Sequence, residues 1–208
     1  MHPLNCPSWE YSTHPQHAVI PFRVSEVLTA LATGGIDTLL LATDTRDVHH
    51  RVFQQLTPIN CDYYAGHYRG ERFRCLQFYR VAIPGDAGVG VAPESVAFRI
   101  GEINAEIRTG IMAIDANALL TAKERLRYIL ALTCRAFVAF LTVHPYANGN
   151  GHAGRFIVWS LMGRYGHWPR RWPVEPRPPD PPYSQLIMNC RDGDPAPLER
   201  YLLQCLVG

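Results

Sequence analysis

Apolar positions along the chain recur mostly at helical spacing, with short Pro, Gly or polar breaks between the runs. "SEVLTALAT" predicts a short helix stopped by Gly34-Gly35. Over residues 36–56, Leu39, Leu40, Val48, Val52, Phe53 and Leu56 predict a second helix, ended by Pro58. "PESVAFRIGEINAEI" opens with a proline suited to a first helical turn. Over residues 121–143, Leu126, Ile129, Leu130, Leu132, Thr133, Phe137 and Phe140 leave few polar positions. They predict the longest helix, central and buried. "GRFIVWSLMGRYG" predicts another apolar helix, and "YSQLIMNC" and "PLERYLLQCL", split by "RDGD", predict two amphipathic ones at the end. Residues 1–22 are rich in Pro and His and predict extended chain. Residues 75–91 are aromatic and β-branched around a Pro-Gly-Asp turn, which predicts a hairpin or extended flap. "RWPVEPRPPDPP" predicts a surface connector. The pattern is that of an all-α fold, with an N-terminal extension and short helix over 1–35 and the main domain over 36–208.

Composition narrows the class. With 208 residues, 47% of them apolar, the chain is long enough for one well-cored domain with a small extension. A net charge of +2 gives no footprint for nucleic acid or an anionic membrane, and "RRW" at 170–172 is too short to change that. The longest apolar stretch is broken by Arg135, so no membrane span is expected. The N-terminus lacks a basic-then-apolar signal pattern, which points to the cytoplasm and leaves delivery by a signal-independent secretion route open. The six cysteines carry no C-x-x-C pair and predict reduced thiols. The histidines, among them the pair at 49 and 50, show no metal-ligand spacing and predict surface or helix-end groups.

The chemistry concentrates in "HPYANGNGHAGR", residues 144–155. A plain turn between two buried helices needs one or two glycines. Here Gly149, Asn150 and Gly151 come in succession, immediately before a helix begins. Glycines let successive backbone N–H groups converge, and a helix start adds unpaired donors and a partial positive charge. Together these suit a phosphate. Asn150 adds a side-chain amide, and Arg155 lies one turn into the helix. His144, across the loop, is a base suited to neutral pH.

This motif resembles that of the Fic family, H-P-F-x-(D/E)-G-N-G-R-x-x-R. "HHRVFQQLTPINCDYYAGHYRG" upstream resembles the family's helix ending in His, Arg and Phe that leads to Ala-Gly-x-x-Arg. "YSQLIMNCRDGDPAPLERYLLQ" resembles its closing helices. The resemblance implies an all-α Fic bundle with a β-hairpin flap, and transfer of a nucleoside monophosphate, usually AMP from ATP, to a hydroxyl of a target protein. It makes His144 the base for that hydroxyl. Gly149, Asn150 and Gly151 would hold the phosphates, with Arg155 and the residue at 152 as further contacts. Phe78, Tyr79 and Val81 of the flap would pair with the target.

Three positions depart from the pattern. Tyr146 replaces the anchoring Phe and needs a partner for its hydroxyl. Asn148 stands where a carboxylate holds Mg²⁺, and an amide is a poor ligand for that cation. His152 replaces the first arginine and loses a bidentate donor, though it still donates to phosphate; its bland alternative is a first-turn residue facing solvent. These changes are compatible with slow adenylylation, with a different phosphate donor, or with an inactive module that binds a nucleotide or a protein. Gly151, where a phosphate-transferring branch has lysine, favours nucleotidyl transfer. The family's inhibitory pattern (S/T)-x-x-x-E-(G/N) is missing, so inhibition, where it exists, would come from a separate antitoxin-like protein.

Overall fold

The computed structural model describes residues 6–81, 83, 86 and 88–206, and among them the chain forms eight α-helices and no strand. They are α1 (Ile20–Ala32), α2 (Thr38–Thr43), α3 (Arg46–Phe53), α4 (Pro93–Ala116), α5 (Ala122–Val143), α6 (Asn150–Gly163), α7 (Tyr183–Arg191) and α8 (Ala196–Gln204). The fold class is all-α, as the apolar spacing predicts.

Two apolar clusters share α6. In the larger one, α4 lays Ile100, Ile103, Ile107, Ile111 and Ile114 against α5 at steps of three and four residues, and α6, α7 and α8 cover the other sides of α5. Each such side chain is worth roughly 1.5–3 kcal/mol when taken out of water. The smaller cluster joins Trp9, α1 and α3 to Phe156 of α6. Because α6 lies between them, Ala153, Phe156, Ile157 and Val158 are all buried, and its first turn is fixed from two sides. By length and composition α5 could cross a bilayer, yet it is the central helix of the core.

Capping sets the ends. Thr121 and Glu124 form a reciprocal capping box at the start of α5: Thr121 Oγ1 accepts the Glu124 N–H, and the Glu124 carboxylate accepts the Thr121 N–H. Pro93 begins α4 as expected.

Several expectations are corrected. The helix expected over 36–56 is two helices, because Asp44 is extended and its carboxylate takes the Arg46 N–H, starting α3 afresh. It also ends at Phe53, before Pro58, where Gln55 turns left-handed. At 22 residues α5 is shorter than α4, which has 24. Within the segment expected to be extended, residues 11–13 and 17–19 form short 3₁₀ turns and α1 already starts at Ile20; residues 1–5 lie outside the described region. The expected hairpin contains a 3₁₀ turn at Leu76–Phe78 and one antiparallel bridge, Ile83 to Asp86. Its Pro84-Gly85 tip lies outside the described residues. Two cysteines are not free thiols: Cys6 and Cys75 form a disulfide across 69 positions. The proline-rich connector buries Trp172, Val174 and Pro178, while residues 176–177 and 179–182 lie exposed on the surface as expected.

Candidate active site

At the end of α5 the backbone of His144 turns left-handed, with φ 54°, and its N–H still bonds the Phe140 carbonyl. A non-glycine residue in that region costs on the order of 1 kcal/mol or more and persists only where its surroundings hold it. Arg69 does the holding. Its guanidinium, on a side chain with 1% residue exposure, donates to the carbonyls of His144 (2.8 Å), Val143 (3.0 Å), Val91 (3.0 Å) and Tyr79 (3.1 Å). Its own N–H bonds the Pro145 carbonyl at 2.7 Å. Burial draws this guanidinium down to about 10, so it remains a cation at neutral pH.

The His144 ring donates from Nδ1 to the Leu141 carbonyl (3.2 Å), which leaves Nε2 as the basic nitrogen. Burial pulls the imidazole down to about 4; the Leu141 carbonyl opposes this, and Arg69 adds to it. Near pH 7 the ring is therefore neutral and able to accept a proton.

Residues 145–149 are bound to the core at each step. Tyr146 has no exposed surface, and its hydroxyl lies 2.8 Å from that of Thr45, the partner that a buried tyrosine requires. Its ring stacks on His49 with centroids 3.6 Å apart. His49 accepts the Gly66 N–H at Nδ1 and donates from Nε2 to the Asn148 carbonyl (2.9 Å), so it is an internal brace and not the surface group its sequence context predicts. Gly149 is left-handed (φ +76°), and an added Cβ would lie 2.4 Å from Phe53 and 2.8 Å from His49. The Asn150 side chain closes the loop on itself, accepting from the Tyr146 N–H (2.8 Å) and donating to the Tyr146 carbonyl (2.9 Å). Its amide is thus spent on the loop, and what Asn150 offers a ligand is its backbone.

The first turn of α6 presents the N–H groups of Asn150, Gly151 and His152, for which no acceptor occurs among the described residues; the intrahelical pattern begins with Ala153 bonding Gly149. Arg155, nearly buried, donates from Nε to the Val174 carbonyl (2.9 Å), and its Nη1 lies 2.8 Å from where a Gly151 Cβ would stand. Gly151 therefore leaves room for the guanidinium beside the loop.

His152 neither faces solvent nor reaches freely toward a ligand. It is buried, and its Nε2 lies 2.6 Å from a Glu175 carboxylate oxygen. Burial, the larger effect, and Arg155 hold this imidazole below its usual range against the pull of Glu175. The hydrogen bond from His152 in turn keeps Glu175 low. The neutral-pH state is a neutral imidazole donating to an ionised carboxylate, so Glu175 brings a negative charge within reach of Arg155.

Asn148 is engaged as well. Its Oδ1 accepts the Gly149 N–H (2.7 Å), and its Nδ2 donates to the Trp9 carbonyl (2.8 Å) and approaches Glu10 (3.4 Å). Both oxygens of residue 148 are engaged, Oδ1 by Gly149 and the carbonyl by His49, the amide is neutral, and no group of three His, Cys, Asp or Glu side chains suited to a metal occurs among the described residues. The residues present do not fit a magnesium ion held through position 148.

The three flap positions are separated. Phe78 is exposed, Tyr79 packs edge-on against Tyr64 in the smaller cluster, and Val81 is half-buried beside Gly90. Beyond them, Gly90 and Val91 donate their N–H groups to the carbonyls of Thr142 and Val143, which ties the far side of this segment to the end of α5.

Glu175, Trp9 and the bracing role of His49 escape sequence reasoning. A large aromatic in a polar, proline-rich stretch is the one signal that could have flagged Trp9, since leaving it in water is costly. Glu175 lies between prolines in what reads as linker and carries no signal of its own. Compared with protein-family models and with curated proteins, the chain matches none.

Proposed function

We propose that the chain is a Fic-type nucleotidyltransferase that moves a nucleoside monophosphate, AMP from ATP in the first instance, to a hydroxyl of a target protein. The observation that supports this most is the pairing of a neutral base with an anion site across one braced loop. Among the described residues His144 Nε2 and the three N–H groups that start α6 have no partner, and Arg155 lies beside those groups. In the proposed reaction His144 takes the proton of the acceptor hydroxyl as that oxygen attacks the α-phosphate. The amides of residues 150–152 and Arg155 stabilise the phosphate charge, and pyrophosphate leaves. No step passes through a protein-held metal. The edge near Phe78 and Val81 is the proposed contact for the target segment, by strand addition to a Fic-type flap.

Two observations favour a second reading, an inactive module that binds a nucleotide or a protein. Glu175 offsets the charge of Arg155, and Asn148 is spent on the N-terminal segment. Incubation with α-labelled ATP, UTP, GTP and CTP, with and without cell lysate, separates the two. Label on protein supports transfer; binding of nucleotide without any label on protein supports the module.

A further inference from the structure

The segment over residues 6–13 crosses the phosphate loop. The Trp9 indole is buried, donates to the Leu56 carbonyl (2.8 Å), and meets His49 and Phe53 edge-on. Its carbonyl and the Glu10 carboxylate face the Asn148 amide. Tyr11 packs edge-on against His152, with centroids 5.7 Å apart, and lies tilted on Phe53. Beneath it, Asn150, His152 and Arg155 are each less than 5% exposed. The Glu10 carboxylate is shared between the Asn148 amide and the N–H and hydroxyl of Ser12.

The outer part of this segment is held through Tyr11 on Phe53 and His152 and through the Asn148 contacts. Residues 11–13 form a single 3₁₀ turn with no buried residue, and Glu10, Ser12 and Thr13 are exposed. At the other end, Cys6 is joined to Cys75, immediately before the Leu76–Phe78 turn, and the Tyr64 hydroxyl donates to the Pro7 carbonyl (3.1 Å).

We infer that residues 6–13 are a redox-latched strap over the anion site: with the Cys6–Cys75 bond closed the strap covers the start of α6, and reduction by a dithiol lets it lift. The inference rests on reading that loop as an anion site. In the step, one thiolate of the dithiol attacks a sulfur of the bond and forms a mixed disulfide, and the second thiol displaces it. Cys6 and Cys75 end as thiols, the reductant ends as its own disulfide, and two electrons are transferred. Cutting the bond restores the chain entropy of a 69-position loop and leaves Trp9, Tyr11, the Tyr64–Pro7 bond and the Asn148 contacts to hold the strap. The latch stays closed in oxidising surroundings and opens in a reducing cytosol.

The test uses the full chain in three states: oxidised, reduced with dithiothreitol, and Cys6→Ser. Hydrogen exchange at residues 9–13 and at the amides of Asn150–His152 reads the strap, and calorimetric titration with inorganic pyrophosphate and with ATP reads the site. Reduction and Cys6→Ser should each speed exchange at both places by about tenfold, and reductant should add nothing in Cys6→Ser. Affinity for both probes should rise by a similar factor. Unchanged exchange overturns the strap. So does faster exchange with binding present but equal in all three states. Faster exchange with no binding in any state keeps the strap and removes the nucleotide reading.

Discussion

Arg69→Met keeps most of the buried volume and removes every hydrogen bond that the side chain donates. Three carbonyls, those of His144, Val91 and Tyr79, lose their donor, and that of Val143 keeps only the Val91 N–H. A buried acceptor left unpaired costs about 1–3 kcal/mol, and part of the total returns because a buried cation is no longer desolvated. The net loss expected is about 3–5 kcal/mol. For a slope near 2 kcal/mol/M, this moves the urea midpoint down by roughly 2 M. Arg69→Lys, with a compact head that reaches fewer of these carbonyls at once, should fall between the variant and the parent. A second readout separates a local role from a general one. The strained turn at His144 is held by two of these bonds, so the His144 ring in Arg69→Met should titrate closer to an ordinary histidine, as seen by NMR of its C–H signals. A loss below about 1 kcal/mol, with the His144 titration unchanged, would show that Arg69 is not what holds the turn.

Gly149→Ala forces a side chain into a left-handed position and against Phe53 and His49, and should cost about 2–4 kcal/mol in thermal or urea unfolding; a neutral effect would mean that the loop can be rebuilt without its close approach to α3. Acid should weaken the fold through the buried histidines: His49, at about 3, and His144, at about 4, stay neutral in the folded state, whereas the unfolded chain binds their protons near pH 6.5. Stability is therefore full above about pH 6.5 and falls as pH drops toward 4, by about 1.4 kcal/mol per unit for each histidine; a urea midpoint that stays level from pH 7 to 4.5 would contradict this.

Much of the helical architecture is legible in the sequence because its signals are local. The apolar spacing of α4 and α5, the Thr121–Glu124 box and Pro93 each act within one or two turns, and the structure follows them. The motif at 144–155 is legible for the same reason: a base, a glycine-rich turn, a helix start and an arginine follow one another directly. The remainder depends on partners far away in the chain. Asp44 splits a helix by ending one in extended backbone and accepting the first N–H of the next, which overrides a continuous apolar period. Whether Asn148 faces a cation or the N-terminal segment depends on a residue 139 positions away. The pairing of His152 with Glu175 requires the proline-rich segment to fold back, which nothing in its composition indicates. The Cys6–Cys75 bond joins two residues that scattered spacing gives no reason to pair.

His144, the proposed base at the end of α5, is tested by one comparison. With α-labelled ATP, reductant and a lysate containing the acceptor protein, the initial rate of label transfer by the parent chain is set beside that of His144→Ala, with the ATP affinity of each measured by calorimetry. In the proposed reaction the imidazole acts on the attacking hydroxyl and not on the phosphates, so transfer should drop by about 10²–10⁴-fold while affinity stays within a few-fold. Equal transfer by the two proteins would contradict the assignment of His144 as the base.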